Sequence, residues 1–181
     1  MNELEQRIHA EITENGAIPF SRFMERALYE PDLGYYEIQR EVGRSGDFYT
    51  SVSVGSLYGE LLAFQFADWL SDIEGPVQLV EVGAHDGRLA RDVLAYLRDW
   101  RPELYERCEL ILWETSAKHR QWQEVVLVDY LEKIQWTPKL ESFNGVFYCN
   151  ELLDACPVER RIWEGEAWWL SVGESDGQSS A

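Results

Sequence analysis

The sequence predicts an α/β protein: a parallel sheet with helices on both faces, preceded by a helical N-terminal stretch. Three observations carry this. Apolar runs of strand length recur at 77–82 (VQLVEV), 109–113 (ELILW) and 145–149 (GVFYC), with helical patterns between them. The first of these runs ends in a turn bracketed by Gly83 and Gly87 that opens into a helix. The N-terminal third shows helical spacing instead.

Taken in order, Leu4, Ile8 and Ile12 recur every four residues and mark an amphipathic helix over 2–14, stopped by Asn15-Gly16. A short helix over 20–28 places Phe20, Phe23, Met24 and Ala27 on one face, and Pro31 and Gly34 end it. Residues 37–56 are irregular and glycine-rich. A helix over 57–72 carries Leu57, Leu61, Leu62, Phe64, Phe66, Trp69 and Leu70; apolar residues on more than one face predict that it is largely buried. A strand at 77–82 and a helix at 88–99 follow. After the strand at 109–113, Thr115 or Ser116 caps a helix reaching about 124. A weaker strand lies at either 125–128 or 133–136, and 167–172 (AWWLSV) is a further strand candidate. The polar tail 173–181 is expected to be disordered.

Composition narrows the function. At 181 residues and 45% apolar, the chain can bury the core of one domain. Its longest apolar runs, such as LLAF at 61–64, fall far short of the roughly 18 residues of a membrane span. Glu3, Glu5, Glu11 and Glu14 with no apolar block imply no signal peptide. Sixteen basic against 33 acidic residues give a net charge of −17, which repels phosphate backbones and argues against nucleic acid. The same charge is either a solvated acidic surface or a docking site for a basic partner. Cys108, Cys149 and Cys156 form no CxxC, and His9, His85 and His119 do not cluster in sequence, so no metal site is expected. Reduced, mostly buried thiols imply a cytoplasmic protein.

Four segments can carry chemistry. In LVEVGAHDGRLARDVL (79–94), Gly83 permits a sharp bend, and Gly87 permits close approach of a ligand or of the next helix. The turn serves either a ligand or packing alone. Glu81, at the end of the strand, puts a carboxylate where a diphosphate would otherwise sit, which favours a cationic or hydroxyl-bearing ligand. Glu114 ends the second strand, 27 residues after Gly87. It can accept two hydrogen bonds from a ribose, a role that dinucleotide folds give to an acid about 20 residues on, or it only opens the next helix. In YCNELLDACPV (148–158), a strand delivers Asn150 and Glu151 to the carboxyl edge of the sheet, with Asp154 one turn on. These residues bind a ligand, or they cap a turn and are solvated. In GRSGDFYTSVSVGSLYGE (43–60), a glycine-rich loop with Arg44 and Asp47 leads into an apolar helix, as a lid or as a plain surface loop. No Ser-His-Asp or Cys-His spacing points to a hydrolase.

These segments, in this order, resemble the S-adenosylmethionine-dependent methyltransferase family of the mitochondrial complex I assembly-factor arginine methyltransferases and their bacterial MidA-like relatives. The matching stretches are GAIPFSRFMERALYEPDLGYY (16–36), GRSGDFYTSVSVGSLYGELLA (43–63), LVEVGAHDGRLARDVL (79–94), WETS (113–116) and NELLDACPVER (150–160). The resemblance implies a Rossmann-like sheet holding S-adenosyl-L-methionine at its carboxyl edge. Glu81 and Gly83 would flank the methionine part, Gly87 would admit the cofactor to the turn, and Glu114 would hold the ribose. Asn150 and Glu151 would face the reacting region. A loop with Gly46, Asp47, Phe48, Thr50 and Ser51 would close over the site. Glu151 or Asp154 would take the proton from a guanidinium acceptor. The family's glycine turn usually has a glycine where this chain has His85, which would either crowd the cofactor or contact it.

Family members are about twice as long, so the resemblance implies that the last strands and much of the substrate-binding half are missing here. The domain expectation is a helical extension with its lid loop over 1–72, a Rossmann-like core lacking its C-terminal part over 73–172, and a tail over 173–181. The function expected is methyl transfer to a basic or arginine-bearing protein. The rival is a non-catalytic cofactor-binding or assembly module, with a dehydrogenase a distant third.

Overall fold

The structure, a computed structural model, describes residues 1–38, 52, 55–165, 167–170 and 172–173. Helix α1 (Glu3–Asn15) opens on a capping box: Asn2 Oδ1 accepts from the Glu5 N–H at 2.8 Å, and Glu5 Oε2 accepts from the Asn2 N–H at 2.8 Å. It ends at Gly16, whose φ of 82° suits a residue without a Cβ. A two-residue strand β1 (Ile18–Pro19), helix α2 (Phe20–Tyr29) and a single turn α3 (Tyr35–Ile38) follow. Then come α4 (Leu57–Ser71), β2 (Val77–Val82), α5 (Arg88–Trp100), α6 (Pro102–Arg107), β3 (Cys108–Trp113) and α7 (Ala117–Val126). A 3-10 turn (Val128–Lys133) leads into β4 (Ile134–Thr137), then β5 (Gly145–Cys149), a short 3-10 turn (Leu153–Ala155), β6 (Arg161–Glu164), β7 (Ala167–Leu170) and β8 (Val172–Gly173).

The chain divides into two units, one of Met1–Gln39 with Leu153–Ala181, the other of Arg40–Leu152. These boundaries fall elsewhere than residues 72 and 172, because α4 packs on α5 while β8 pairs with β1. In the first unit an ion-pair ladder joins α1 to α2. Glu11 accepts from the Nε atoms of Arg22 and Arg26, each at 2.7 Å, and the buried Glu30 accepts from Arg7 at 2.9 Å and from Arg26. The guanidinium groups hold both carboxylates below their usual range against the opposing effect of burial. The Tyr29 hydroxyl donates to the Ala155 carbonyl at 2.7 Å, bridging the unit's two chain segments.

The second unit holds the parallel sheet, in order β4-β3-β2-β5. Successive residues of a strand point to opposite faces, and Leu79 and Val80 are both fully buried, so β2 is covered on both sides. Leu79, Leu110 and Leu112 meet Leu94, Leu97, Phe66 and Leu70 in one core. Helices α4 and α5 approach closely at Gly59, where a Cβ would lie 2.6 Å from the Asp92 Cβ.

Several expectations are corrected. Helix α4 is not buried all round: it buries Gly59, Ala63, Phe66, Ala67 and Leu70, while Leu57, Leu61, Phe64 and Trp69 are more than half exposed. The weak strand is β4, since 128–133 closes a 3-10 turn instead. The candidate strand at 167–172 does not join the parallel sheet; β7 pairs antiparallel with β6, and β8 with β1. Gly173, expected in the tail, lies in β8, and 174–181 fall outside the described residues. Between the helix at 88–99 and the strand at 109–113, residues 102–107 form the short helix α6. Only Cys108 of the three thiols is buried, and Cys149 is exposed. Burial pushes the Cys108 thiol up to about 11.

Candidate functional site

The register sets the three candidate strand tips level. Val82 of β2 pairs with Trp113 of β3 on one side and with Cys149 of β5 on the other. Gly83, Glu114 and Asn150 therefore leave the sheet at the same edge.

The turn after β2 is built from left-handed residues: Gly83 at φ 68°, His85 at 49° and Gly87 at 85°. The Gly87 N–H closes it on the Ala84 carbonyl at 2.8 Å. A Cβ on Gly83 would lie 2.7 Å from Leu152 Cδ1, and one on Gly87 would lie 3.0 Å from Leu127 Cδ1. Of the two readings of Gly87, the close neighbour seen is the chain at the end of α7. His85 adopts a left-handed backbone that costs a residue with a Cβ about 1 kcal/mol. Its ring meets those of His119 and Trp122 edge-on at 5.5 and 5.7 Å, so it turns toward α7. Asp86 accepts from the Arg88 N–H at 3.2 Å and pairs with Arg88 Nε at 2.9 Å, a carboxylate at the positive end of α5.

Glu81 lies opposite Tyr148 in the β2–β5 register, and both side chains are buried. The Tyr148 hydroxyl donates to Glu81 Oε2 at 2.9 Å, and the Tyr148 ring packs against Phe66 with centroids 4.9 Å apart. Burial raises the Glu81 carboxyl to about 7; the phenol's hydrogen bond works against that rise and nearby Asp86 adds to it. Burial and the adjoining carboxylate push the Tyr148 phenol well above its ordinary value.

Glu114 has the opposite environment. Its Oε1 accepts from the Ser116 N–H at 2.8 Å. Its Oε2 meets His119 Nδ1 at 3.2 Å and Gln123 Nε2 at 3.2 Å. Burial disfavours its charge, but these donors outweigh burial and hold the carboxyl below its usual range. A carboxylate has about four lone-pair directions, and three are engaged here. One remains for a ligand hydroxyl, so accepting two would require a present donor to yield.

Gln123, invisible to the sequence reading, is the hub of this arrangement and is fully buried. Its Nε2 donates to the His85 carbonyl at 2.9 Å as well as to Glu114, and its Oε1 accepts from Trp136 Nε1 at 2.9 Å. One signal was available: His119 and Gln123 are four apart on a helix and so share a face. Ser116, the cap of α7, accepts from the His119 N–H at 3.3 Å.

Asn150, half-buried, follows β5, and Glu151 is exposed at a left-handed φ of 48°, a strained backbone at a strand tip. Asp154 sits exposed on the 3-10 turn of the other unit. Gly46, Asp47, Thr50 and Ser51 lie outside the described residues. Among the described residues no group of three His, Cys, Asp or Glu side chains is placed to hold a metal ion.

A parallel strand, a glycine turn, a helix and an acid at the neighbouring strand's tip define an α/β protein of the nucleoside-binding class. Residues 61–180 match the family described as "Putative S-adenosyl-L-methionine-dependent methyltransferase", and the chain belongs to that family. It is 28% identical over 204 residues to the mitochondrial protein arginine methyltransferase NDUFAF7 homolog of Drosophila melanogaster, a match covering 98% of this chain and 47% of that protein. It is 32% identical to the Danio rerio protein arginine methyltransferase NDUFAF7, covering 92% of this chain and 45% of that one. A solved structure from Burkholderia thailandensis, bound to S-adenosyl-homocysteine, superimposes with a TM-score of 0.74 at 31% identity, covering 94% of this chain and 49% of its own. The chain thus spans about half the length of these relatives.

Proposed function

We propose that this chain binds S-adenosyl-L-methionine at the tips of β2, β3 and β5 and serves methyl transfer to a protein side chain, with arginine the acceptor named for its relatives. The observation that carries the reading is the pair of carboxylates on adjacent strands, Glu81 just before the glycine turn and Glu114 just after β3. Their chemistry fits the cofactor. Glu114 is held charged and keeps one acceptor direction for a ribose hydroxyl. Glu81 supplies a carboxyl for the methionine ammonium group. The bound cofactor supplies an electrophilic methyl on a sulfonium. The protein's part is orientation, and Asn150 and Glu151 flank the reacting end. A guanidinium nucleophile must lose a proton, and Glu151, exposed on the same sheet edge, is the proposed acceptor. The acidic surface suits a basic protein substrate.

Calorimetry with S-adenosylmethionine and with NAD tests the binding, and heat from the first alone supports it. Heat from NAD alone, or from neither, refutes it. Glu151→Gln should then cut turnover by about 100-fold while cofactor affinity changes less than about twofold. Equal losses in both would reject the proton-acceptor role. A second reading, a cofactor-binding or assembly module without turnover, is favoured by the His85 side chain in the turn. Binding without methylation of any arginine-bearing protein would support it.

A further inference from the structure

The pairing of Glu81 with Tyr148 goes further than cofactor recognition. The two come from strands 67 residues apart in sequence and meet only because β2 and β5 are in register. The phenol engages Oε2, and among the described residues nothing bonds the other oxygen. The titratable groups around Glu81 are Tyr148 from β5, Asp86 from the following turn and, beside Tyr148, Cys108 from β3. Arg88, which follows in the same turn, is engaged by Asp86. A carboxyl so placed has no cationic partner of its own among the described residues, and its neighbours are neutral or acidic.

Resting on the cofactor reading above, we propose that Tyr148 is a positioning residue for Glu81, and that docking of the cofactor's ammonium group expels a proton from this pair. Below about pH 7 the free protein holds this proton on Glu81. When the ammonium arrives, the carboxyl O–H bond breaks and the proton leaves to the buffer. The resulting carboxylate accepts from the Tyr148 hydroxyl on one oxygen and from the ammonium N–H on the other. Tyr148 thus fixes which oxygen faces the ligand and makes ionisation easier by stabilising the charged form.

The test uses S-adenosyl-homocysteine, which carries the same ammonium group, titrated calorimetrically into the full chain in phosphate and in Tris. The dependence of heat on buffer ionisation counts the protons released. With Glu81 titrating near 7, wild type should release about three-quarters of a proton at pH 6.5 and about a quarter at pH 7.5. Tyr148→Phe keeps the ring against Phe66 but removes the donor. It should move the midpoint up by about one pH unit, so that release at pH 7.5 rises to about three-quarters and affinity there falls about threefold. Glu81→Gln should bind more weakly, with heats independent of buffer.

Buffer-independent heats in wild type at pH 6.5 would overturn the proposal. So would a Tyr148→Phe profile superimposable on wild type, or proton release surviving in Glu81→Gln. Absence of any S-adenosyl-homocysteine heat between pH 6 and 9 would instead overturn the cofactor reading itself.

Discussion

Replacing Gln123 by Leu separates the polar hub from the packing it fills. Leu occupies a similar volume, so the core around Leu127 stays full, but three hydrogen bonds vanish: to the His85 carbonyl, to Glu114 Oε2 and from Trp136 Nε1. A buried group left without its partner costs about 1–3 kcal/mol. Trp136 is only half-buried and can turn to water, so its share is small. The His85 carbonyl and Glu114 bear most of the loss, and extra apolar burial returns about 1 kcal/mol. The net expectation is a loss of about 2–4 kcal/mol at pH 7, read from urea denaturation followed by tryptophan fluorescence. Glu114 owes part of its lowered carboxyl range to Gln123. A carboxylate with a depressed folded-state value stabilises above its unfolded value and loses that contribution as pH falls. The gap between variant and wild type should therefore narrow from pH 7 to pH 4. A loss under about 0.5 kcal/mol, or a gap that widens on acidification, would refute the account of Gln123 as the group that secures both the turn and Glu114.

Two further outcomes follow from the same geometry. Glu81→Gln should stabilise the fold at pH 8. The folded carboxyl titrates near 7, above its unfolded value, so folding binds the proton more tightly and stability falls as pH rises from about 4.5 to 7. Gln still accepts from Tyr148 and carries no charge, so the variant should gain about 1–3 kcal/mol at pH 8 and nothing at pH 4, measured by urea midpoints. Gly59→Ala should lose about 1–2 kcal/mol despite the better helix propensity, because the new methyl meets the Asp92 Cβ and forces α4 off α5; a thermal melt no lower than wild type would contradict that contact.

Three of the four strands of the parallel sheet were readable because VQLVEV, ELILW and GVFYC are short, predominantly apolar runs. Helix α6 was not expected from the sequence, although Pro102 at its first helical position marks a start. The apolar surround of α4 misled because sequence records which residues are apolar and not which face finds a partner. The antiparallel pairings of β6, β7 and β8 were illegible for a related reason: a strand's pattern does not name its neighbour. At the site, the acids at 81 and 114 were visible as strand ends, but their environments were not. Tyr148 reaches Glu81 through register, and His119 and Gln123 reach Glu114 through the packing of α7.

Those environments make two residues of one type do opposite things. Glu81 has burial and a single phenol, and burial raises its carboxyl to about 7 against the phenol's opposing hydrogen bond. Glu114 has three donors on a similarly buried carboxylate, so it stays charged and directs its remaining acceptor outward. A ligand that satisfies both must present a cation to the tip of β2 and a hydroxyl to the tip of β3. A dinucleotide would bring its diphosphate to the turn beside Glu81 and the Arg88-paired Asp86, neither of which offers it a positive charge. On the proposed cofactor reading, an amino-acid nucleoside would bring a cation to Glu81 and a hydroxyl to Glu114, a pairing that the glycine turn shared by many nucleotide folds does not by itself select.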